Sequence, residues 1–153
     1  MSLLIDTADE IVTVLNAASA DETLSQTFTA TRKYIPRTDL KDMNSIHVTV
    51  VPAMSTPERM TRSNVSLSMI ITVAVQQRST EESTDDDTDT FDPLVTLVEE
   101  VDALMLGSTL TVGDADALVS VESSAEREAF MYEHMDKFRQ FTSITHYTML
   151  GHY

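Results

Sequence analysis

The stretch 64–77 constrains the fold of this chain more than any other. Val65, Leu67, Met69, Ile71, Val73 and Val75 alternate with residues that are mostly small or polar. Only an extended strand sends alternate side chains to opposite faces, so this period of two demands a sheet with one dry face. That face must be covered by another layer.

Two helical patterns supply the cover. Thr7-x-x-Glu10 reads as a capping box, in which the hydroxyl takes an orphan amide and the carboxylate reaches back. Ile11, Val14, Leu15 and Ala18 follow at helical spacing, with Asp6, Asp9 and Glu10 near the positive end of the helix dipole. In the second pattern Asp92 is a natural N-cap and Pro93 a natural first helical residue. Leu94, Leu97, Val98, Val101 and Met105 make its apolar stripe, and Gly107 suits its C-terminal stop.

Further strand-like runs fill the rest. Residues 25–32 carry Phe28 and Ala30 on one side. Residues 45–51 carry Ile46, Val48 and Val50, end at Pro52, and pair with 64–77 through a loop over 53–63. Residues 117–122 are short and apolar, and 138–150 contain Phe141, Ile144, Tyr147 and Met149. Between them, 123–137 reads as a charged connection. The order is αβββαββ. The expected fold is α+β: a single domain over 1–153, with a mainly antiparallel sheet of about five strands and two helices packed on one face. A chain of 153 residues is one domain long, and no repeat or linker divides it.

Composition narrows the chemistry. The chain has no cysteine, which excludes disulfides, thiolate metal sites and a cysteine nucleophile. Lys+Arg number 10 against 25 Asp+Glu, a formal net charge of -15. Such a surface repels phosphate backbones and anionic lipid headgroups, so neither a grip on nucleic acid nor membrane binding is expected. The N-terminus lacks a basic region, and no apolar run approaches the ~20 residues of a membrane span. Folding in a cytoplasm is the expectation.

The tract 79–90 is polar and acidic, with Glu81, Glu82, Asp85, Asp86, Asp87 and Asp89. It reads as an exposed, flexible loop. Asp85, Asp87 and Asp89 have the alternate spacing of calcium ligands. Thr90, however, stands where a calcium loop needs glycine, and Thr96 where it needs a bidentate glutamate. His47, His134, His146 and His152 have no zinc-site spacing. With three glycines, neither GxGxxG nor a phosphate-cradling loop can be written, and no GxSxG elbow occurs. The reading is no metal, no cofactor and no catalytic residues: not an enzyme. The basic residues are grouped instead. Arg32, Lys33, Arg37 and Lys41 lie between the first two strands, and Arg59 and Arg62 in the loop 53–63. On an acidic protein these are candidate contacts for a neighbour's acidic face. Met43, Met54, Met60 and Met131 fall in expected loops, where flexible thioethers suit adaptable contacts.

Several segments together resemble a known class. They are Ala8-Asp9-Glu10-Ile11-Val12, Phe28-Thr29-Ala30-Thr31-Arg32-Lys33-Tyr34-Ile35-Pro36, and Asp39-Leu40-Lys41-Asp42-Met43 leading to His47-Val48-Thr49-Val50-Val51-Pro52. Val73-Ala74-Val75-Gln76-Gln77, Leu97-Val98-Glu99-Glu100-Val101 and Phe138-Arg139-Gln140-Phe141-Thr142-Ser143 continue the pattern over nearly the whole chain. This pattern resembles the tail terminator, or tail-completion, proteins of the neck of tailed bacteriophages. The resemblance implies a small α/β domain with an antiparallel sheet flanked by helices. It also implies a homo-oligomeric ring, sixfold in that class, on the head-proximal end of the tail tube. Such a ring ends tube polymerisation and joins the tube to head–tail connector or adaptor proteins. It lets DNA pass without specific binding. The implied setting is the virion tail or neck, assembled in the host cytoplasm. Other expectations are a head-completion adaptor or a tube subunit and, more remotely, a cytoplasmic enzyme or small-ligand-binding domain. The long acidic tract 79–90 departs from the layout of the class. Its acids are candidates to line or rim the channel.

Overall fold

The computed structural model describes residues 2–36, 44–61, 65–78, 88–113, 117–128 and 140–152; for 88–90 and 123–128 it describes the backbone alone. The elements are α1 (Leu3–Ala20), β1 (Thr29–Arg32), β2 (His47–Arg59), β3 (Val65–Arg78), α2 (Thr88–Met105), β4 (Thr109–Val112), β5 (Ala117–Glu128) and β6 (Gln140–His152). The class is α+β with two helices, as the patterns require. The sheet is larger and less uniform than expected: six strands in the order β1-β2-β3-β6-β5-β4.

Four of the five strand pairs are antiparallel, but β1 runs parallel to β2, with Thr29 opposite His47 and Arg32 opposite Val50. A tight turn would force an antiparallel pair; residues 33–46 are long enough to carry the chain back to the same end. The strand missing from the sequence expectation is β4. Its Thr-Leu-Thr-Val alternates exposed and buried between Gly107 and Gly113, both at positive φ (75° and 73°). Gly107 also ends α2, as expected.

Three of the boundaries that differ from the expectation do so for clear physical reasons. Strand β2 does not stop at Pro52 but continues to Arg59, with a register shift between Pro52 and Met54. Pairing with β1 ends at Val50. Pro52 and Pro57 therefore lie where β2 is an edge strand, the place a sheet tolerates proline. Strand β5 runs on to Glu128 along β6, with two register shifts, so part of the charged connection is strand. Helix α1 begins at Leu3, one turn before the capping box. Leu3 and Leu4 pack on the core and extend the apolar face, and Thr7 lies fully buried inside the helix.

The core lies between the helices and one sheet face. Met69, Ile71 and Val73 of β3 meet Tyr147 and Met149 of β6, Val48 and Val50 of β2, and Val119 and Val121 of β5. Ile11 and Leu15 of α1 and Leu94, Leu97 and Met105 of α2 close over them. Each such side chain contributes about 1.5–3 kcal/mol when fully buried. Gly151 opens the space for α1: a Cβ there would stand 2.8 Å from Leu3 Cδ2.

Candidate functional site

The residues singled out by charge are not gathered at one place. Arg32, at the end of β1, donates from Nε to Asp9 Oδ1 of α1 at 2.6 Å, and its guanidinium lies 5.7 Å from the Tyr34 ring centre. The Asp9 carboxylate and the Tyr34 hydroxyl raise the Arg32 pKa above the usual arginine value. Lys33 is half-buried, and its backbone N–H donates to Val50 O. Arg59 sits at the far end of β2, where its Nε donates to Thr61 O. Along β2 it is nine residues beyond Arg32's partner Val50, about 30 Å at strand rise. Arg32 and Arg59 therefore belong to two surfaces. Arg37, Lys41 and Arg62 lie outside the described residues.

The acidic tract is shorter than expected. Thr88–Met105 is one helix, so Asp89 is in its first turn and Pro93 is interior rather than first. Acids at a helix N-terminus are favoured by its dipole. Phe91, buried and stacked on Phe141 at 5.9 Å between ring centres, holds that turn against the sheet. Glu81, Glu82, Asp85, Asp86 and Asp87 lie outside the described residues, as does His134.

The geometry that stands out is that of the sheet edges. The free side of β1 is closed by α1. Asn16 donates from Nδ2 to Ala30 O at 3.2 Å and accepts from Ala30 N–H at 2.7 Å. One turn on, Ser19 Oγ donates to Phe28 O and accepts from Phe28 N–H. Two polar side chains thus imitate a neighbouring strand. Past Val50, among the described residues, β2 has no strand on its outer side. From Ala53 to Arg59 it is exposed throughout, an arm carrying Met54 on its surface. At the opposite edge lies β4. Val121 N–H donates to Ser108 O at 3.0 Å. By the alternation of an antiparallel ladder, the backbone groups of Thr109 and Thr111 point away from β5. Beside them Leu118 is 56% exposed and Leu106 41%.

A cleft of 510 Å³ lies where the N-terminus of α1 meets β2 and the β4–β5 turn. It is lined by Leu3, Leu4, Pro57, Leu67 and Val112, with Asp6 as its ionisable group. On the face away from the helices, His146 Nδ1 and Thr72 Oγ1 share a hydrogen bond of 2.8 Å. Among the described residues, no group of acids and histidines could hold a metal ion. No described helix is long and apolar enough to cross a membrane. No protein-family model matches the chain, and no curated protein matches it significantly.

The sequence could have revealed two of these features. Thr-Leu-Thr-Val between two glycines is a short strand signal, and paired prolines in an apolar strand signal an edge. That Asn16 and Ser19 would face β1 carries no local signature.

Proposed function

We propose that this chain is a structural subunit of a tailed-bacteriophage neck: a tail terminator that forms a ring on the tail tube, ends its growth and joins it to the head connector. The observation that carries this reading is the layout. Both helices cover one face of a sheet whose two ends, the β2 arm and β4, are different surfaces. A ring needs such unlike, head-to-tail contacts. The net charge of -15 suits a conduit, because acids lining or rimming the channel repel passing DNA. The acids of 79–90 are proposed for that place. A channel with a neutral or basic lumen would overturn this part.

The test is electron microscopy of purified tail tubes incubated with the chain. The expected result is one ring, six copies in the resembling class, at the head-proximal end. Long polymers of the chain alone would make it a tube subunit, and rings on the capsid portal would make it a head-completion adaptor. The cleft beside α1 favours a second reading, a small-ligand-binding domain, since its volume is in the range of ligand pockets. Its single ionisable lining residue is a weak basis for that reading, and a thermal-shift screen with a saturable hit there would revive it.

A further inference from the structure

Among the described residues two edges of the sheet carry no further strand, and they lie level with one another. Thr56 of β2 is opposite Ser68, Ser68 opposite Leu150, Leu150 opposite Ser120, and Ser120 opposite Thr109 of β4. The next row on that face runs Glu58, Ser66, His152, Leu118, Thr111. Four antiparallel steps separate β2 from β4, so the two strands point the same way. We infer that the free edge of β4 receives the β2 arm of a second copy, in parallel, so that the sheet continues from subunit to subunit.

The inference rests on the reading of the chain as a self-assembling subunit, and names the seam. Charge argues for a second copy as the occupant. Two molecules each carrying -15 repel, so they can meet only where charge is absent or balanced. Residues 103–113 carry no charged side chain, and 53–60 carry one acid, Glu58, and one base, Arg59. The faces also match. On the face away from the helices, the level rows would set Thr56 beside Thr109 and Glu58 beside Thr111, with exposed Leu118 in the next strand. Such a contact is heterologous: each copy gives an arm on one side and an edge on the other. The edge of β1 cannot serve, because Asn16 and Ser19 already occupy it at Ala30 and Phe28. Pro57 removes one donor from the arm. The seam is therefore weak for a single pair and is reinforced when a ring closes.

Sedimentation of the full-length chain tests this. Self-association should strengthen from about 0.05 M to about 0.5 M salt, as screening shortens the reach of the repulsion. Thr111→Pro blocks the edge at an amide that faces away from β5; Thr109→Lys is the second edge variant should the first melt early. Met54→Asp with Met60→Asp blocks the arm. Each should weaken association about tenfold or more, with circular dichroism and melting unchanged. Mixed one to one, the edge variant and the arm variant should form a species of twice the monomer mass, because each retains one intact half. An arm variant that associates like the wild type, or a mixture that gives no pair at concentrations where the wild type itself forms pairs, overturns the inference. If wild-type rings form on tail tubes and both variants still assemble, this seam is wrong while the ring reading stands. A wild type that neither associates nor decorates tubes removes both.

Discussion

Tyr147 is fully buried in the middle of β6, and its hydroxyl donates to Asp102 Oδ1 of α2 at 2.5 Å. A carboxylate buried to this depth needs donors, and this one ties the second helix to the sheet at a fixed height. Removing the hydroxyl alone isolates its effect. Tyr147→Phe should destabilise the fold by about 1–3 kcal/mol in urea unfolding, since a buried acceptor loses a donor while the ring packing is kept. The Arg32–Asp9 pair is different in kind: Asp9 is exposed and Arg32 only half-buried. Its contribution, from an arginine pKa raised in the fold, is present below the ordinary arginine range and is lost only as pH rises above it. The melting-temperature difference between Arg32→Gln and the wild type should therefore be small and nearly constant from pH 6 to 9.

At the scale of elements, β1 depends most on partners outside the sheet. It is four residues long and pairs with one strand, and its other side is held by Asn16 and Ser19. Asn16→Ala removes both bonds to Ala30 and should cost about 1–2 kcal/mol. It also bares an edge that the wild type keeps covered. The expected readouts are faster amide exchange over β1 and a greater tendency to aggregate on heating. Unchanged exchange at Ala30 would show that α1 does not hold the strand. The elements with strong local patterns, α1, β3 and the stripe of α2, were legible from sequence because each carries its own period. The extension of β2 through Pro52 was not, since a proline stops a central strand but not an edge, and position in the sheet is not local. Nor was β5 beyond Glu122, where pairing with β6 outweighs a charged sequence.

For the whole molecule, charge is the dominant long-range force. A net charge of -15 on 153 residues opposes compaction as well as association. Raising salt from about 0.01 M to about 0.2 M should raise the melting temperature of the monomer, because the Debye length falls from about 30 Å to below 10 Å. A melting temperature that falls with salt would mean that attractive pairs outweigh the repulsion. The candidate basic contacts were legible as residues but not as a site. Arg32 is engaged with α1 and Arg59 lies on the β2 arm, so the two groups that are separate in sequence are separate on the sheet as well.

What the sequence alone determined was local and periodic: two helical stripes, a long alternating strand, an α+β class and an acidic surface. These follow from side-chain spacing along one element and from summed charge, neither of which needs the rest of the chain. What the tertiary structure decided was adjacency. It set β1 parallel to β2, found β4, placed prolines on an edge, closed one side of the sheet with Asn16 and Ser19, and, among the described residues, left two other edges open at the same height. Each depends on which backbone lies beside which, a relation between residues far apart in sequence. No spacing within a single strand encodes it.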